Sequence, residues 1–401
     1  MPLEHIYYIC GHITDLALSN EMRKFFKRVF PGLEQHIVLV EHPYLSTVES
    51  KMILDCFSSV TRLPYCETVF TNRWSHELRP QAIYKRLSNA FGFLKESGER
   101  LKFKTKALCF TYEMSEDGLA VRLLLNRIRK NKGLILCRLG MWGPRISACK
   151  TNDWLFWLLN NFYCLLGAPA VSVNVGGWML RERRYYAEKK IPRYHLVFSN
   201  KWKDNDGFRE VKYPVPENKE RTSVRKMVFF FDDGLFWVEH FPQKFSLEYW
   251  TAKMNELLRK ISEIYKGEDV DLLFKMHPGD TVGGYLPPYD LADFKIYDGN
   301  LTSESIYSRR HNEIRAVYGI CSTSTRTADL YGIKSYVFFE MFDMPEDAKE
   351  RFRQFLLAYS NVVSIRDLDG LSAPALASNT CVSVNGDQER LKGLFKEIMQ
   401  N

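Results

Sequence analysis

The sequence lacks the cysteine spacing of a zinc-binding or disulfide-linked protein. Its nine cysteines are scattered, mostly inside apolar runs, and no two of them form a CxxC pair. Zinc sites and small secreted domains space their cysteines in pairs or frameworks, whereas isolated cysteines in apolar runs are typical of a reducing compartment. We therefore expect reduced core cysteines in a cytoplasmic protein, with no zinc or other metal site and no disulfide framework.

A secretory leader and a long apolar run are also missing. The first five residues carry no Lys or Arg and lead straight into a strand-like segment. The longest apolar stretch, residues 154–170, is interrupted by Asn160 and Asn161. It falls short of the roughly 20 apolar residues that a membrane-spanning helix needs. We expect no transmembrane helix.

Three common catalytic signatures are absent. The sequence contains no GxGxxG, no Walker sequence and no GxSxG elbow. Val175-Gly176-Gly177 is too short to serve as a phosphate loop. These absences argue against a standard dinucleotide site, a P-loop NTPase and an α/β-hydrolase.

Charge is distributed unevenly along the chain. Residues 1–200 carry 29 Lys and Arg against 17 Asp and Glu, a net charge of +12, whereas residues 201–401 carry 27 against 31, a net charge of −4. A basic half favours an anionic partner, such as an anionic glycan or glycolipid or the inner face of a membrane, and a solvated basic surface is the alternative. No basic-aromatic motif points to nucleic acid.

Strand and helix patterns alternate in both halves of the chain. In the first half, strand patterns lie at residues 6–10, 36–40, 60–63, 107–111, 134–138 and 170–175, and helical patterns lie at 16–29, 78–95 and 119–130. Strands separated by helices indicate parallel βαβ units. A polar, aperiodic segment over residues 200–222 then predicts an interdomain linker.

The second alternation has strand patterns at residues 226–231, 271–276, 294–297, 316–321 and 335–339, and ends in helical patterns at 346–359 and 387–399. We therefore predict an α/β chain of GT-B type. In that architecture a Rossmann-like N-terminal domain, residues 1–205, and a Rossmann-like C-terminal domain, residues 222–401, face a central cleft.

A His-Pro pair follows the second strand of the C-terminal half. Pro278 cannot continue a strand, so the chain turns there and His277 is held extended at the strand end. A histidine so placed can donate to a phosphate oxygen or act as a general acid, and Lys275 shares its face by strand alternation. An ordinary strand terminator is the alternative, because His42-Pro43 repeats the dipeptide in the first half.

Hydroxyl residues begin the helix after the fourth of these strands. Ser322, Thr323, Ser324 and Thr325 form a natural N-cap run. Hydroxyls and unsatisfied backbone N–H groups converge at such a helix start and favour an anion. We predict that a phosphate binds there in addition to the capping.

Glu304 begins a short helix after the weak strand at residues 294–297. A carboxylate at this position can accept hydrogen bonds from both ribose hydroxyls of a nucleotide. The simpler explanation is that an acidic residue complements the positive end of the helix dipole. We predict the ribose contact and keep the dipole explanation open.

Two acidic-acidic-Gly strings are candidates for a general base. Asp232-Asp233-Gly234 follows the first strand of the C-terminal half and is predicted to point into the cleft. Glu116-Asp117-Gly118 follows a first-half strand and starts a helix, where acidic residues are stabilising. Sugar transfer needs a carboxylate or His that deprotonates the acceptor hydroxyl. Either string could supply it, although each alone is more typical of a turn.

Together these motifs resemble those of bacterial GT-B sialyltransferases, which use CMP-activated sugars and include lipooligosaccharide sialyltransferases and polysialyltransferases. That group carries an acidic-acidic-Gly motif, a His-Pro motif and a downstream serine motif. The similarity is firmest over residues 226–340 and only architectural over the first 200. The family's acidic motif usually ends a first-domain strand, whereas the strand end at residues 136–140 carries no acid here. In some lipooligosaccharide sialyltransferases the catalytic Asp instead lies in the loop after the first strand of the second domain. Asp232 and Asp233 occupy that place, so they are preferred over Glu116 and Asp117.

The resemblance implies a role for each motif. His277 contacts the CMP phosphate or protonates the leaving group, the serine run binds the same phosphate beside Lys275 and Pro278, and Glu304 holds the ribose. The N-terminal domain is the acceptor side and the C-terminal domain binds the nucleotide-sugar. The implied reaction is an inverting, metal-independent transfer of sialic acid or a related nonulosonic acid from a CMP donor to a carbohydrate of a surface glycan, with no bound cofactor. The implied location is cytoplasmic, with peripheral contact at the inner membrane face.

Three alternatives stay open. A GT-B glycosyltransferase that uses a UDP- or GDP-sugar would share the architecture, and so would a UDP-sugar 2-epimerase, which needs no acceptor. A glycan-binding or assembly scaffold with a degraded nucleotide cleft would bind no nucleotide at all.

Overall fold

The computed structural model describes residues 3–11, 13–40, 51, 53–64, 80–112, 133–140, 193–199, 201–205, 208–214, 226–235, 237–238, 244–277, 286–297, 301–357, 361–374 and 384–400. The chain divides into two compact units. The first comprises Met1–Pro214 together with Gly386–Asn401, and the second comprises Val215–Asn385. Each unit is built on its own β-sheet.

The first unit contains an eight-stranded sheet, as far as the structure describes it, in the order β3-β2-β1-β4-β5-β6-β8-β7. The strands are β1 (His5–Cys10), β2 (Glu34–Val40), β3 (Ser59–Leu63), β4 (Ala107–Tyr112), β5 (Leu134–Gly140), β6 (Arg193–Ser199), β7 (Lys203–Asn205) and β8 (Phe208–Lys212). The pairings are parallel except for the antiparallel β7–β8 hairpin. Every residue of β1, β4 and β5 is buried, as in parallel sheets covered on both faces.

Within the described residues, this unit has three helices, namely α1 (Ile13–Val29), α2 (Pro80–Arg100) and the C-terminal helix that we name α7 (Val384–Gln400). On α7, Phe395 packs against Phe25 and Phe26 of α1 and Phe110 of β4, with ring centroids 4.9–6.0 Å apart. The predicted C-terminal domain ran to residue 401. The structure places residues 386–401 in the first unit instead, because the apolar face of α7 is buried there.

The predicted linker at residues 200–222 contains the β7–β8 hairpin. Its strand β8 pairs in parallel with β6 and extends the first sheet. Asp387 of α7 accepts hydrogen bonds from the indole Nε1 of Trp202 (3.0 Å) and from Nζ of Lys212 (2.9 Å). The first unit therefore continues to Pro214 rather than 205. Edge hairpins carry exposed polar side chains, so their composition resembles that of a linker.

The second unit contains a parallel sheet of six described strands, in the order β11-β10-β9-β12-β13-β14. They are β9 (Lys226–Phe231), β10 (Val270–Lys275), β11 (Lys295–Ile296), β12 (Ile314–Gly319), β13 (Ser335–Val337) and β14 (Val362–Ser364). Its helices are α3 (Leu247–Ile264), α4 (Ser303–Arg310), α5 (Thr323–Leu330) and α6 (Glu346–Leu356). Trp250, Met254, Leu257, Leu258 and Ile261 form the buried face of α3, at the spacing of an amphipathic helix.

Both sheets are doubly wound. From the first strand, β1 or β9, the next two strands extend to one side and the fourth strand lies on the other side. This is the strand order of Rossmann-type folds, in which ligands bind outside the carboxyl ends of the strands where the order reverses. The mixed α/β class with two largely parallel sheets, predicted from the sequence, is confirmed.

The predicted helix at residues 119–130 and the predicted strand at 170–175 lie outside the described residues. Among the described helices, none combines the length and apolar character needed to cross a bilayer. Five cysteines within the described part of the chain are free thiols, and Cys10, Cys109 and Cys137 among them are buried.

Candidate functional site at the carboxyl edge of the second sheet

The order of the second sheet reverses between β9 and β12, and a side-chain hydrogen bond joins the two strand ends there. The Oδ2 atom of Asp233, which follows β9, accepts a hydrogen bond of 2.8 Å from the backbone N–H of Cys321, which follows β12. The same oxygen lies 3.2 Å from the Cys321 Sγ atom. The acidic-acidic-Gly string therefore lies where a doubly wound sheet binds its ligand.

The two aspartates of the string differ in accessibility. Asp232 is only 4% exposed, and its backbone N–H donates to the Lys275 carbonyl at 3.0 Å, which extends the ladder between β9 and β10. Asp233 is half-buried. A proton acceptor must reach the hydroxyl from which it takes the proton, so Asp233 is the better candidate for the base.

Burial raises the pKa of the Asp233 carboxyl, while hydrogen bonds from Cys321 and the charge of His277 act in the opposite direction. Burial, together with the nearby Asp233 carboxylate, raises the pKa of the Cys321 thiol well above its usual range. The thiol is therefore neutral at pH 7 and can donate to the carboxylate. A carboxyl with a raised pKa at a ligand-binding edge is a candidate for acid–base chemistry.

Two glycines allow this close approach of β9 and β12. Gly234 has φ +65°, a left-handed conformation that turns the chain away after the aspartates. A Cβ atom on Gly319 would lie 3.1 Å from Cγ2 of Thr325 and 3.2 Å from the carbonyl oxygen of Phe231. A side chain at position 319 would therefore push the start of α5 away from β9.

His277 lies beyond the end of β10, the strand next to β9, and its side chain is exposed. Asp233 and His277 follow the carboxyl ends of the paired parallel strands β9 and β10, so they belong to the same edge of the sheet. Lys275 is 9% exposed, and its Nζ donates to the Met276 carbonyl at 3.4 Å, which holds the ammonium group at the end of β10. Pro278 lies outside the described residues.

The hydroxyl run forms the start of α5. Ser322 is the N-cap, and its hydroxyl accepts from the Ser324 N–H. The hydroxyl of Thr325 donates to the Ser322 carbonyl at 2.6 Å, and the residue is fully buried. Thr323 is exposed, and Ser322 and Ser324 are half-buried. The Thr325 hydroxyl therefore stabilises the turn. The side chains of Ser322, Thr323 and Ser324 are accessible enough to contact a ligand.

Glu304 occupies the first turn of α4 and is 3% exposed. Its Oε2 atom accepts a hydrogen bond of 3.1 Å from the Ser303 hydroxyl. Three residues later on the same helix, the hydroxyl of Tyr307 donates to the Ser324 carbonyl at 2.9 Å, and the Tyr307 ring contacts Phe231 edge-on at 5.8 Å. Tyr307 thus connects the Glu304 helix to the serine turn and to the end of β9.

The sequence motifs did not identify Cys321, Tyr307 and Gly319 as parts of this edge. Gly319 could have been recognised from the sequence, because an isolated glycine at the end of a strand pattern indicates that another part of the backbone approaches closely. For Cys321 and Tyr307 there was no such indication, because both act through contacts with residues far away in the sequence. Glu116 and Asp117, the alternative base candidates, lie outside the described residues.

The first unit has a buried polar cluster at the corresponding reversal point, between β1 and β4. The Ser19 hydroxyl lies 3.0 Å from Cys10 Sγ and 2.5 Å from the Tyr112 hydroxyl, and Asp15 accepts from the Gly11 N–H at 3.3 Å. Burial raises the pKa of Cys10 and Tyr112 well above their usual ranges, so both are neutral. These groups satisfy one another beneath the edge of the sheet.

No protein-family model and no curated protein matches the chain. Solved structures resemble it at low identity and with TM-scores below 0.5. A UDP-N-acetylglucosamine 2-epimerase is 11% identical, with a TM-score of 0.49, covering 100% of this chain and 98% of the other. A 2,6-sialyltransferase from a Photobacterium species, solved with CMP and lactose, is 11% identical with a TM-score of 0.48, covering 90% and 78%. The glycosyltransferase SnogD from Streptomyces nogalater is 11% identical with a TM-score of 0.46, covering 99% and 96%. With TM-scores this low, the likenesses carry no argument about this chain.

Proposed function

We propose that this protein is an inverting glycosyltransferase that moves sialic acid or a related nonulosonic acid from a CMP-activated donor to a carbohydrate acceptor of a surface glycan. The bond between Asp233 and the Cys321 N–H carries the proposal, because it joins the acidic string to the residue just before the serine turn. The end of β10, which His277 follows, lies next to β9 at the same edge of the sheet. All three motifs whose residues resemble CMP-sugar transferases meet at that edge.

The donor phosphate would bind between the start of α5 and the end of β10, which lie on either side of β9. The Ser322 turn offers hydroxyls and the backbone N–H groups of a helix start, which favour an anion. His277 is exposed beyond the end of β10, on the other side of β9, and would donate a hydrogen bond to a phosphate oxygen or protonate the departing CMP. Glu304, at the start of α4, would accept from the ribose hydroxyls once its carboxylate, only 3% exposed, becomes accessible to the nucleotide. Tyr307 holds that helix against the serine turn.

The transfer needs one proton acceptor and one stabilised leaving group. In the proposed reaction Asp233 takes the proton of the acceptor hydroxyl while that oxygen attacks the anomeric carbon. The bond between this carbon and the CMP phosphate oxygen breaks, and CMP leaves with its charge stabilised by His277 and the serine turn. No cation is required, since the phosphate is met by an imidazole, hydroxyls and N–H groups.

The acceptor proposed is an anionic glycan or glycolipid, because residues 1–200 carry a net charge of +12. The same charge would favour peripheral contact with the inner, anionic face of a cytoplasmic membrane. If the positive charge of residues 1–200 serves only to keep the protein in solution, the transfer activity should not depend on the charge of the acceptor.

The direct test is acceptor-dependent release of CMP. The full chain is incubated with CMP-N-acetylneuraminic acid and a panel of neutral and anionic oligosaccharides, and CMP and the product are quantified. We expect release that depends on the acceptor and is abolished in His277→Ala, whose fold is retained because the side chain is exposed. Near-normal turnover by His277→Ala would contradict the proposal. Conversion of a UDP-sugar to a new nucleotide sugar without an acceptor would favour an epimerase instead.

A further inference from the structure

Five polar or aromatic side chains of the first unit share one face of the sheet near the amino ends of its strands. In the register, His5 pairs with Glu34, Tyr7 pairs with His36, and His36 pairs with Ser59. Side chains at paired positions, and at every second position of one strand, lie on the same face. The register therefore assembles His5, Glu34 and His36 at the edge opposite the carboxyl ends where α/β sheets bind substrates.

The ligand atoms of these three side chains form a compact triangle. His36 Nε2 lies 3.3 Å from His5 Nδ1, while Glu34 Oε2 lies 3.2 Å from His5 Nδ1 and 3.6 Å from His36 Nε2. Among the residues that the structure describes, no other three His, Cys, Asp or Glu side chains are grouped so closely. Tetrahedral zinc with bonds of about 2.0–2.1 Å separates its ligand atoms by about 3.3 Å. The triangle matches that separation within a few tenths of an ångström.

The surroundings of His36 resemble those of a metal-bound imidazole. Its second ring nitrogen, Nδ1, lies 2.8 Å from the Ser59 hydroxyl, and its ring stacks on Tyr7 with centroids 4.8 Å apart. The Tyr7 hydroxyl is itself fixed, since it accepts from the Lys104 N–H at 3.1 Å. Metal-binding histidines commonly donate their other N–H to such a partner, which sets the tautomer and the ring orientation.

We propose that His5, Glu34 and His36 bind a divalent transition metal, preferentially zinc, with water as the fourth ligand. Two imidazoles and one carboxylate are a common zinc ligand set. Calcium and magnesium prefer all-oxygen sites, so they are poor candidates. The site lies at the amino ends of β1 and β2, so a bound ion would join these two strands.

Lys104 is the competitor of the metal at this site. Its Nζ atom lies 3.1 Å from Glu34 Oε2, so the ammonium group neutralises the same carboxylate oxygen that the metal needs. Both side chains are more than half exposed, and exposed ion pairs of this kind contribute little to stability. A bound zinc ion would displace Lys104 toward solvent at small cost. Removal of the Lys104 charge should therefore tighten metal binding.

A neighbouring ion pair provides a matched control. Glu4 and Lys106 form a pair of 2.8 Å at the same edge, between the segments that precede β1 and β4, and this bond joins the Glu4 carboxylate to the Lys106 ammonium group. Glu4→Gln removes a carboxylate of the same type from an equally exposed position. It should leave zinc binding unchanged.

The experiment uses the full chain without an affinity tag, stripped with EDTA and dialysed. Zinc chloride is titrated while bound metal is measured by mass spectrometry and unfolding by its midpoint temperature. We expect one tightly bound zinc ion per chain and a higher midpoint in the wild type and in Glu4→Gln. Affinity should fall at least about tenfold in Glu34→Gln and His5→Gln, and should rise in Lys104→Met.

The proposal is overturned if the wild type retains no zinc, or if Glu34→Gln and His5→Gln bind zinc as tightly as the wild type, which would mean an adventitious ion only. Lys104→Met keeps the test decisive where a ligand variant fails to fold. An unchanged zinc affinity in Lys104→Met would show that the cluster is an ordinary ion-pair network.

Discussion

The carboxylate of Asp233 accepts a hydrogen bond of 2.8 Å from the backbone N–H of Cys321, although the two residues are 88 positions apart in the chain. Asp233 follows the first strand of the second sheet, and Cys321 follows the strand at which the order of that sheet reverses. One side chain thereby holds two strand ends together and places an acidic group between them. We expect Asp233 to have both a structural and a chemical role, and the two roles can be separated.

The Asp233→Asn variant should be more stable than the wild type at pH 7. Burial raises the pKa of this carboxyl above its ordinary value of 3.8. Between that value and the raised pKa the folded state binds more protons than the unfolded state, so the free energy of unfolding falls as the pH rises. Asparagine keeps an acceptor for the Cys321 N–H and removes the ionisation. In urea unfolding, the difference in the free energy of unfolding between Asp233→Asn and the wild type should therefore shrink as the pH is lowered toward 4.

The same variant should lose transfer activity, because asparagine cannot accept a proton. A positioned general base contributes about 10²–10⁴-fold to a rate, so turnover should drop by that order while the affinity for CMP changes little. A variant that is less stable at every pH would contradict the burial argument. A variant that transfers sugar at the wild-type rate would assign the base to another residue.

Gly319→Ala should lower both the stability of the protein and its affinity for the nucleotide. The added methyl group would lie 3.1–3.3 Å from atoms of Thr325, Phe231 and Ser322. Overpacking of this kind costs about 1–3 kcal/mol. Gly393→Ala is the control, since it lies in helix α7 with nothing within 4 Å of the added atom. It should stabilise the protein by about 0.5–1 kcal/mol. Equal effects of the two variants on stability or nucleotide affinity would contradict the close approach at Gly319.

Tyr307→Phe should lower nucleotide affinity with a modest loss of stability. The change removes the hydroxyl that donates to the Ser324 carbonyl and leaves the ring against Phe231. Loss of one such bond costs about 0.5–1.5 kcal/mol. Tyr265→Phe removes a comparable buried bond, to the Tyr318 hydroxyl, just before the amino end of β10. Calorimetric titration with CMP should show weaker binding only in Tyr307→Phe. Weakening of the same size in both would mean a general loss of stability.

Phe395→Ala should destabilise the first unit strongly. Its ring is fully buried against Phe25, Phe26 and Phe110, and truncation of a buried Phe costs about 3–5 kcal/mol. Phe91→Ala, at a position that is 57% exposed, is the control. Urea unfolding compares the two. A loss below 1 kcal/mol in Phe395→Ala would contradict the packing of α7 on α1 and β4.

The central strands and the start of α5 were predictable from the sequence because their signals are local. Apolar runs mark β1, β4, β9 and β12 within one or two residues of their bounds, and Ser322 is the N-cap residue expected of a serine before a helix. The alternation of strands and helices is sufficient for the α/β class.

Features that depend on long-range contacts were not predictable. The polar hairpin β7–β8 has the composition of a linker, and only its pairing with β6 makes it part of a sheet. The amphipathic pattern of α7 gives no sign of which unit covers it. The three-residue strand β14 carries too short a pattern to be recognised. The His5, Glu34 and His36 cluster likewise requires the register of β1 with β2.

We propose that this edge of the second sheet binds the phosphate of a CMP-sugar. Thermal unfolding tests this most directly, when the wild type and His277→Ala are each measured with CMP, UDP and GDP. At 100-fold excess over its dissociation constant a ligand stabilises by about 2.7 kcal/mol. We predict that CMP raises the midpoint of the wild type, that UDP and GDP do not, and that His277→Ala unfolds at the wild-type temperature without ligand but loses the CMP shift. Stabilisation by UDP alone, or a full CMP shift in His277→Ala, would contradict the account.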